Sequence, residues 1–196
     1  MEQSTDGDQR DDGRMPQVEV TNSIRAFTDI EWDALAGDDI MASYGWLRTV
    51  EETYTGGRTP VYLAVRQNGR MVAATVAYRI VHPKTSFTLD SILFGRHASI
   101  ARILGLTFMP VLECAPYRNY GKHFLMEERL DAGHCHNAMC ALLSAMERYA
   151  VGNNMALCFN RVMDTEHQLM MLLGANGYHQ TLTFPIIRVQ EGSDGS

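Results

Sequence analysis

Apolar and polar positions along the chain change period several times, and each change predicts an element. Val18-Glu19-Val20 alternates, as a half-buried strand does. Ile30, Trp32 and Leu35 then recur at helical spacing behind Thr28 or Asp29, either of which can cap a helix, and Gly37 stops it. A second helix is predicted from about Ser43 with Trp46, Leu47, Val50 and Tyr54 on it, ended by Gly56-Gly57. PVYLAVRQ and RMVAATVAYRIV are rich in strand formers. They are joined through Asn68-Gly69, which tolerates the positive φ angles of a type I′ turn, so they predict a hairpin.

From Pro83 to about Arg129 the pattern is less regular. HASIARILG fits a short helix, FMPVLECAP a strand or buried segment, and GKHFLM a strand. Residues 132–151 carry Ala138, Ala141, Leu142, Ala145, Met146 and Tyr149 as one apolar stripe, closed by Gly152. MALCFN reads as a short buried strand. Asp164 and Thr165 offer caps for a helix with Leu169, Leu172 and Leu173, and Asn176-Gly177 offers its left-handed stop. YHQTLTFPIIRV predicts a terminal strand, with Pro185 suiting a bulge or an edge. This order predicts an α+β (α/β) fold: a mixed, mostly antiparallel sheet flanked by helices, with a crossover at the back.

Composition adds bounds. At 196 residues, 45% apolar and 20% charged, the chain suits one globular domain. Residues 1–16 and 190–196 are polar, charged and without apolar periodicity, so both are expected to be disordered tails. The N-terminus has no basic-then-apolar leader pattern, no run of apolar residues is long enough for a membrane span, and four cysteines are sparse. A reducing, cytoplasmic location is the expectation. The net charge is −6, but both tails are acidic and the body is close to neutral, which argues against non-specific nucleic-acid binding. Neither G-x-G-x-x-G after a strand nor a P-loop motif occurs.

The element order resembles the GNAT acyltransferase fold, and LLGANGYHQ resembles the end of that fold's last helix. VAATVAYRIVHPKTSFTLD is similar to a segment of the FemAB-like group of peptidoglycan biosynthesis/recognition and predicted N-acyltransferase proteins, with Tyr78, His82 and Asp90 at matching positions. GLTFMPVLECAPYRNYGKHFLM is similar to a second one, through Gly105, Leu106, Pro110, Leu112, Pro116, Tyr117 and Gly121. The likeness covers about residues 24–189 and implies a single GNAT-like domain over 17–189. The chain departs from the group at Pro83, at Thr85-Ser86 and at Val111, and it carries one module where the group generally has two.

What the resemblance implies for chemistry is an N-acyltransferase, moving an acyl or aminoacyl group from an activated donor to an amine. The donor is an acyl-CoA, a carrier-protein thioester or an aminoacyl-tRNA, acting as co-substrate, with no tightly bound cofactor. The acceptor is a small-molecule or peptide amine. A GNAT enzyme holds the donor pyrophosphate on free amides at the start of its third helix, where the helix dipole favours an anion. Here that junction reads EERLDAGHCHNAM, making Arg129, Gly133, His134, Cys135 and His136 the candidate donor-binding residues. Cys135 stands where a small residue is usual, and Glu127, Glu128 and Asp131 would repel phosphate. The tyrosine that often protonates the leaving thiolate corresponds to Leu173, so that acid is missing.

A base must reach the proton of the attacking amine. Glu113, in an apolar segment, and His82 are the candidates, with Asn160 completing the expected catalytic set. Asp90, Tyr117 and His123 are the candidate substrate contacts. Glu113 also reads as a paired or rim carboxylate, His82 as a strand-end surface residue, Asp90 as a cap or turn brace, and Asn160 as the start of a turn. The expected cleft lies between the strand near 109–114 and the strand at 155–160. His134, Cys135, His136 and Cys140 suit a soft metal, but no second ligand pair follows at finger spacing, so no metal is expected. A non-catalytic GNAT-like ligand- or partner-binding module is the competing reading, favoured by the altered loop and by Leu173. The second module is left to a homodimer, to another subunit, or to nothing at all.

Overall fold

The computed structural model describes residues 16–53, 57–81, 95–104, 109–115 and 121–180. Eleven regular elements follow in order, with 3₁₀ turns between some of them: β1 (Gln17–Thr21), α1 (Asp29–Ala36), α2 (Tyr44–Thr53), β2 (Arg58–Gln67), β3 (Arg70–Ile80), α3 (Ala98–Ile103), β4 (Val111–Cys114), β5 (Leu125–Met126), α4 (Ala132–Gly152), β6 (Ala156–Phe159) and α5 (His167–Ala175). They form an α+β fold, a mixed six-stranded sheet with helices on both faces. The strand order is β1-β2-β3-β4-β6, with β5 also on β3. Every pairing is antiparallel except β4 with β6, which is parallel.

Local sequence explains most elements. Thr28 Oγ1 accepts the Glu31 amide at 3.2 Å and so caps α1, while Gly37 closes it at φ 57°. Asn68 and Gly69 both take positive φ, 51° and 79°, as the β2–β3 turn demands. Alternation along β3 and β4 divides the core. Leu63, Ala77, Leu112 and Cys114 pack under α4 and α5 with Ala138, Leu142 and Met146. Tyr62, Ala64 and Ala74 face α1 and α2 around Trp32 and Leu47. Tyr78, Ile80 and Val111 continue that second face toward β6.

Three expectations need correction. The helix predicted behind Asp164 and Thr165 starts at His167, and Glu166 stands at its cap position with no side-chain cap bond, because its carboxylate is used elsewhere. The strand in GKHFLM shortens to Leu125–Met126. β4 and β6 are not splayed: they pair from Val111↔Ala156 to Cys114↔Phe159, and the bonds Ala156 N–H to Pro110 O and Asn160 N–H to Cys114 O extend the ladder at both ends. The opening lies instead beside β3. One edge of β3 pairs with β2 throughout, while the other pairs with β4 over 77–80 and with β5 over 73–74. The sheet therefore forks at Thr75 and Val76. The terminal strand predicted for YHQTLTFPIIRV falls outside the described residues from 181 on.

Candidate functional site

Registered pairing across the sheet sets Tyr78, Glu113 and Cys158 side by side on one face. Cys158 is largely buried there, and burial together with the Glu113 charge pushes its thiol up to about 11. That is the environment of an inert thiol rather than a nucleophile. Glu113 itself is held from two sides. Asn160, at the end of β6, donates its Nδ2–H to Glu113 Oε1 at 2.8 Å. Arg58, at the start of β2, brings Nη1 within 3.1 Å of Oε2 as an ion pair. Oε2 is buried and has no hydrogen-bond donor aligned on it. The Trp46 indole N–H, which packs against the same face near Tyr78 and Cys158, has no acceptor among the described residues. An ion-paired carboxylate and an indole N–H with no acceptor among the described residues thus share one face of the sheet.

His123 fills the fork. Its side chain has no exposed surface, and its ring nitrogens are both engaged: Nδ1 lies 2.8 Å from Glu166 Oε2, and Nε2 lies 2.9 Å from the Asn160 carbonyl. A carbonyl only accepts, so Nε2 carries a proton and donates it. Glu166 also accepts the His123 amide at 2.9 Å and the Met163 amide at 3.2 Å. Burial alone would raise the Glu166 carboxyl. The bonds from the His123 side chain and amide, with that from Met163, outweigh it and hold the group below the usual carboxylate range. Thr75 Oγ1 anchors the segment by donating to the His123 carbonyl at 2.7 Å. A small cavity on the α1–α2 face, lined by Trp32, Met41, Leu47, Val76 and Lys122, reaches the same ring. A ligand there would find neither nitrogen free, so the substrate contact expected of His123 is not offered in this arrangement.

The start of α4 also differs from the expectation. Asp131 caps the helix, and its Oδ1 accepts the amides of Gly133 and His134 at 2.9 and 3.0 Å, while Oδ2 bonds His134 Nδ1. The amides proposed for a donor phosphate are therefore taken. A Cβ at Gly133 would meet that carboxylate at 3.3 Å, so the glycine gives room to the cap. Cys135 Sγ lies 3.7 Å from Gln168 Oε1, the His136 ring is 3.5 Å from Cys140 Sγ, and Arg129 is exposed. No hydrogen bond or ion pair among the described residues joins this helix start to Glu113. Among them, no group of three or more His, Cys, Asp or Glu side chains could hold a metal ion. His82, Asp90 and Tyr117 lie outside the described residues.

The structure thus brings together Glu113, Asn160 and His123, and adds Arg58, Glu166 and Trp46, which the sequence reading did not single out. Glu166 carried a faint signal: a glutamate just ahead of a helix already offered two better caps is free for other bonds.

Sheet, fork and polar chain together define an α+β domain with a buried carboxylate at the end of a parallel strand pair. Residues 23–181 match the FemAB-like family model, described as peptidoglycan biosynthesis/recognition, and the chain belongs to that family. No curated protein and no solved structure matches it. No helix among the described residues is long and apolar enough to cross a membrane.

Proposed function

We propose that this protein is an N-acyltransferase that moves an acyl or aminoacyl group from an activated donor to an amine acceptor related to peptidoglycan precursors. The observation that carries the reading is Glu113: a carboxylate buried on the sheet face beside Tyr78 and Cys158, oriented by Asn160 and charge-balanced by Arg58. Family membership supplies the chemical context. In the step, the amine nitrogen attacks the acyl carbonyl carbon, the bond from that carbon to the carrier's sulfur or oxygen breaks, and the amine proton passes to Glu113. The Trp46 N–H is the donor on that face suited to the acyl oxygen. Leu173 is buried in the core, so the leaving group takes its proton from solvent or from the protonated base rather than from that position.

Intact-mass assays with acyl-CoAs, acyl carrier proteins and aminoacyl-tRNAs, each against amine-bearing precursor fragments, test the proposal. With a productive donor, Glu113→Gln keeps shape and is expected to lower turnover by ~10²–10⁴. Full turnover by that variant rejects the base assignment.

The capped start of α4 favours a second reading, a recognition module that binds such a fragment without transfer. Saturable fragment binding with no mass change for any donor class would establish it.

A further inference from the structure

Asn160 serves two partners at once. Its side chain reaches Glu113 and its carbonyl is held by His123. The residue after it, Arg161, takes a positive φ of 66°, so the chain turns sharply there and the ladder ends at the bond from the Asn160 N–H to the Cys114 carbonyl. Beyond that bond the Asn160 carbonyl is held by the imidazole, and the imidazole is held by Glu166. Two hydrogen bonds join Glu166 to His123, one to the ring and one to the amide of the same residue. That double hold removes both rotation of the ring and drift of its backbone. The His123 side chain has no exposed surface and that of Glu166 is 13% exposed, so solvent competes little for their bonds.

We propose that His123 and Glu166 form a positioning pair: the imidazole anchors the Asn160 carbonyl, and through it the Asn160 amide is kept on Glu113. Neither member touches substrate. The pair acts on the reacting carboxylate through one residue, and this rests on the acyltransferase reading given above. An unanchored Asn160 would leave the Glu113 carboxylate held by Arg58 alone.

The test uses the full chain and two readouts. Glu166→Gln keeps size but removes the charge that orients the ring, and Asn160→Leu keeps branching but removes the donor to Glu113. Each is expected to lower kcat, by up to about 100-fold for a misplacement near 1 Å, with KM unchanged. Combined, they should lower it no further than the worse single change, because both break one chain of contacts. Tyr178→Phe removes a bond outside this chain of contacts, from the Tyr178 hydroxyl to Glu147 Oε1. It should lower the urea midpoint and leave kcat in place, which separates positioning from general loss of structure. Independently of activity, Glu166→Gln should shift the Asn160 side-chain amide resonances and speed their exchange.

Additive losses, a Tyr178→Phe loss of kcat equal to that of Glu166→Gln, or unmoved Asn160 resonances would each overturn the proposal. A wild-type chain inactive on all three donor classes defeats the acyltransferase reading instead, and the Asn160 resonances then decide alone whether the pair holds that residue.

Discussion

At the scale of single residues, Glu166 carries an energetic consequence that can be measured directly. Its partner ring is fully buried, so removing the carboxylate strands a polar group in the fork. Glu166→Ala is expected to cost on the order of 3 kcal/mol, read from urea unfolding at neutral pH. The same group sets a pH dependence. Because its folded-state value lies below the ordinary 4.5, the stability it contributes is complete above that pH and is lost as pH falls through the lower folded value. Urea midpoints followed from about pH 7 to about pH 3 should decline more steeply for wild type than for Glu166→Ala. Parallel curves would mean that the carboxylate gains nothing from folding.

Among the elements, α4 offers the clearest check, because its first turn was the expected donor site. Asp131→Ala removes the cap and should lower Tm by about 2–4 °C. In wild type, adding coenzyme A should leave the Gly133 and His134 amide resonances unmoved, since Asp131 already holds those groups. A large shift at both amides would show that phosphate displaces the cap. Elements of this kind were legible where local chemistry fixes them. Asn68-Gly69 admits one kind of turn, and the stripe from Ala138 to Tyr149 admits one face. The candidate site was legible only in part. Glu113 and Asn160 stood out as polar residues in apolar segments, but nothing local says that their strands are adjacent in register. The fork was invisible for a related reason. That β3 changes partner depends on where two distant segments dock, and neither carries a pattern that specifies its neighbour. The expected free amides failed on chemistry that was readable: an aspartate two residues ahead of a glycine is a cap before it is a repellent.

For the whole molecule, the chain of contacts at the fork has a kinetic consequence. The β2–β3 hairpin closes over a two-residue turn, and α4 is continuous, so both can form early from neighbours in sequence. By contrast, His123 meets Asn160 across 37 positions and Glu166 across 43, and Glu113 meets Asn160 across 47. Loop-closure entropy delays such bonds until the surrounding sheet is in place. A refolding chain should therefore become compact before it becomes competent. In stopped-flow experiments, Asn160→Leu is expected to leave the refolding rate nearly unchanged and to speed unfolding, with a φ-value near zero. The polar centre would then be the last part of this protein to assemble on the way in and the first to be lost on the way out.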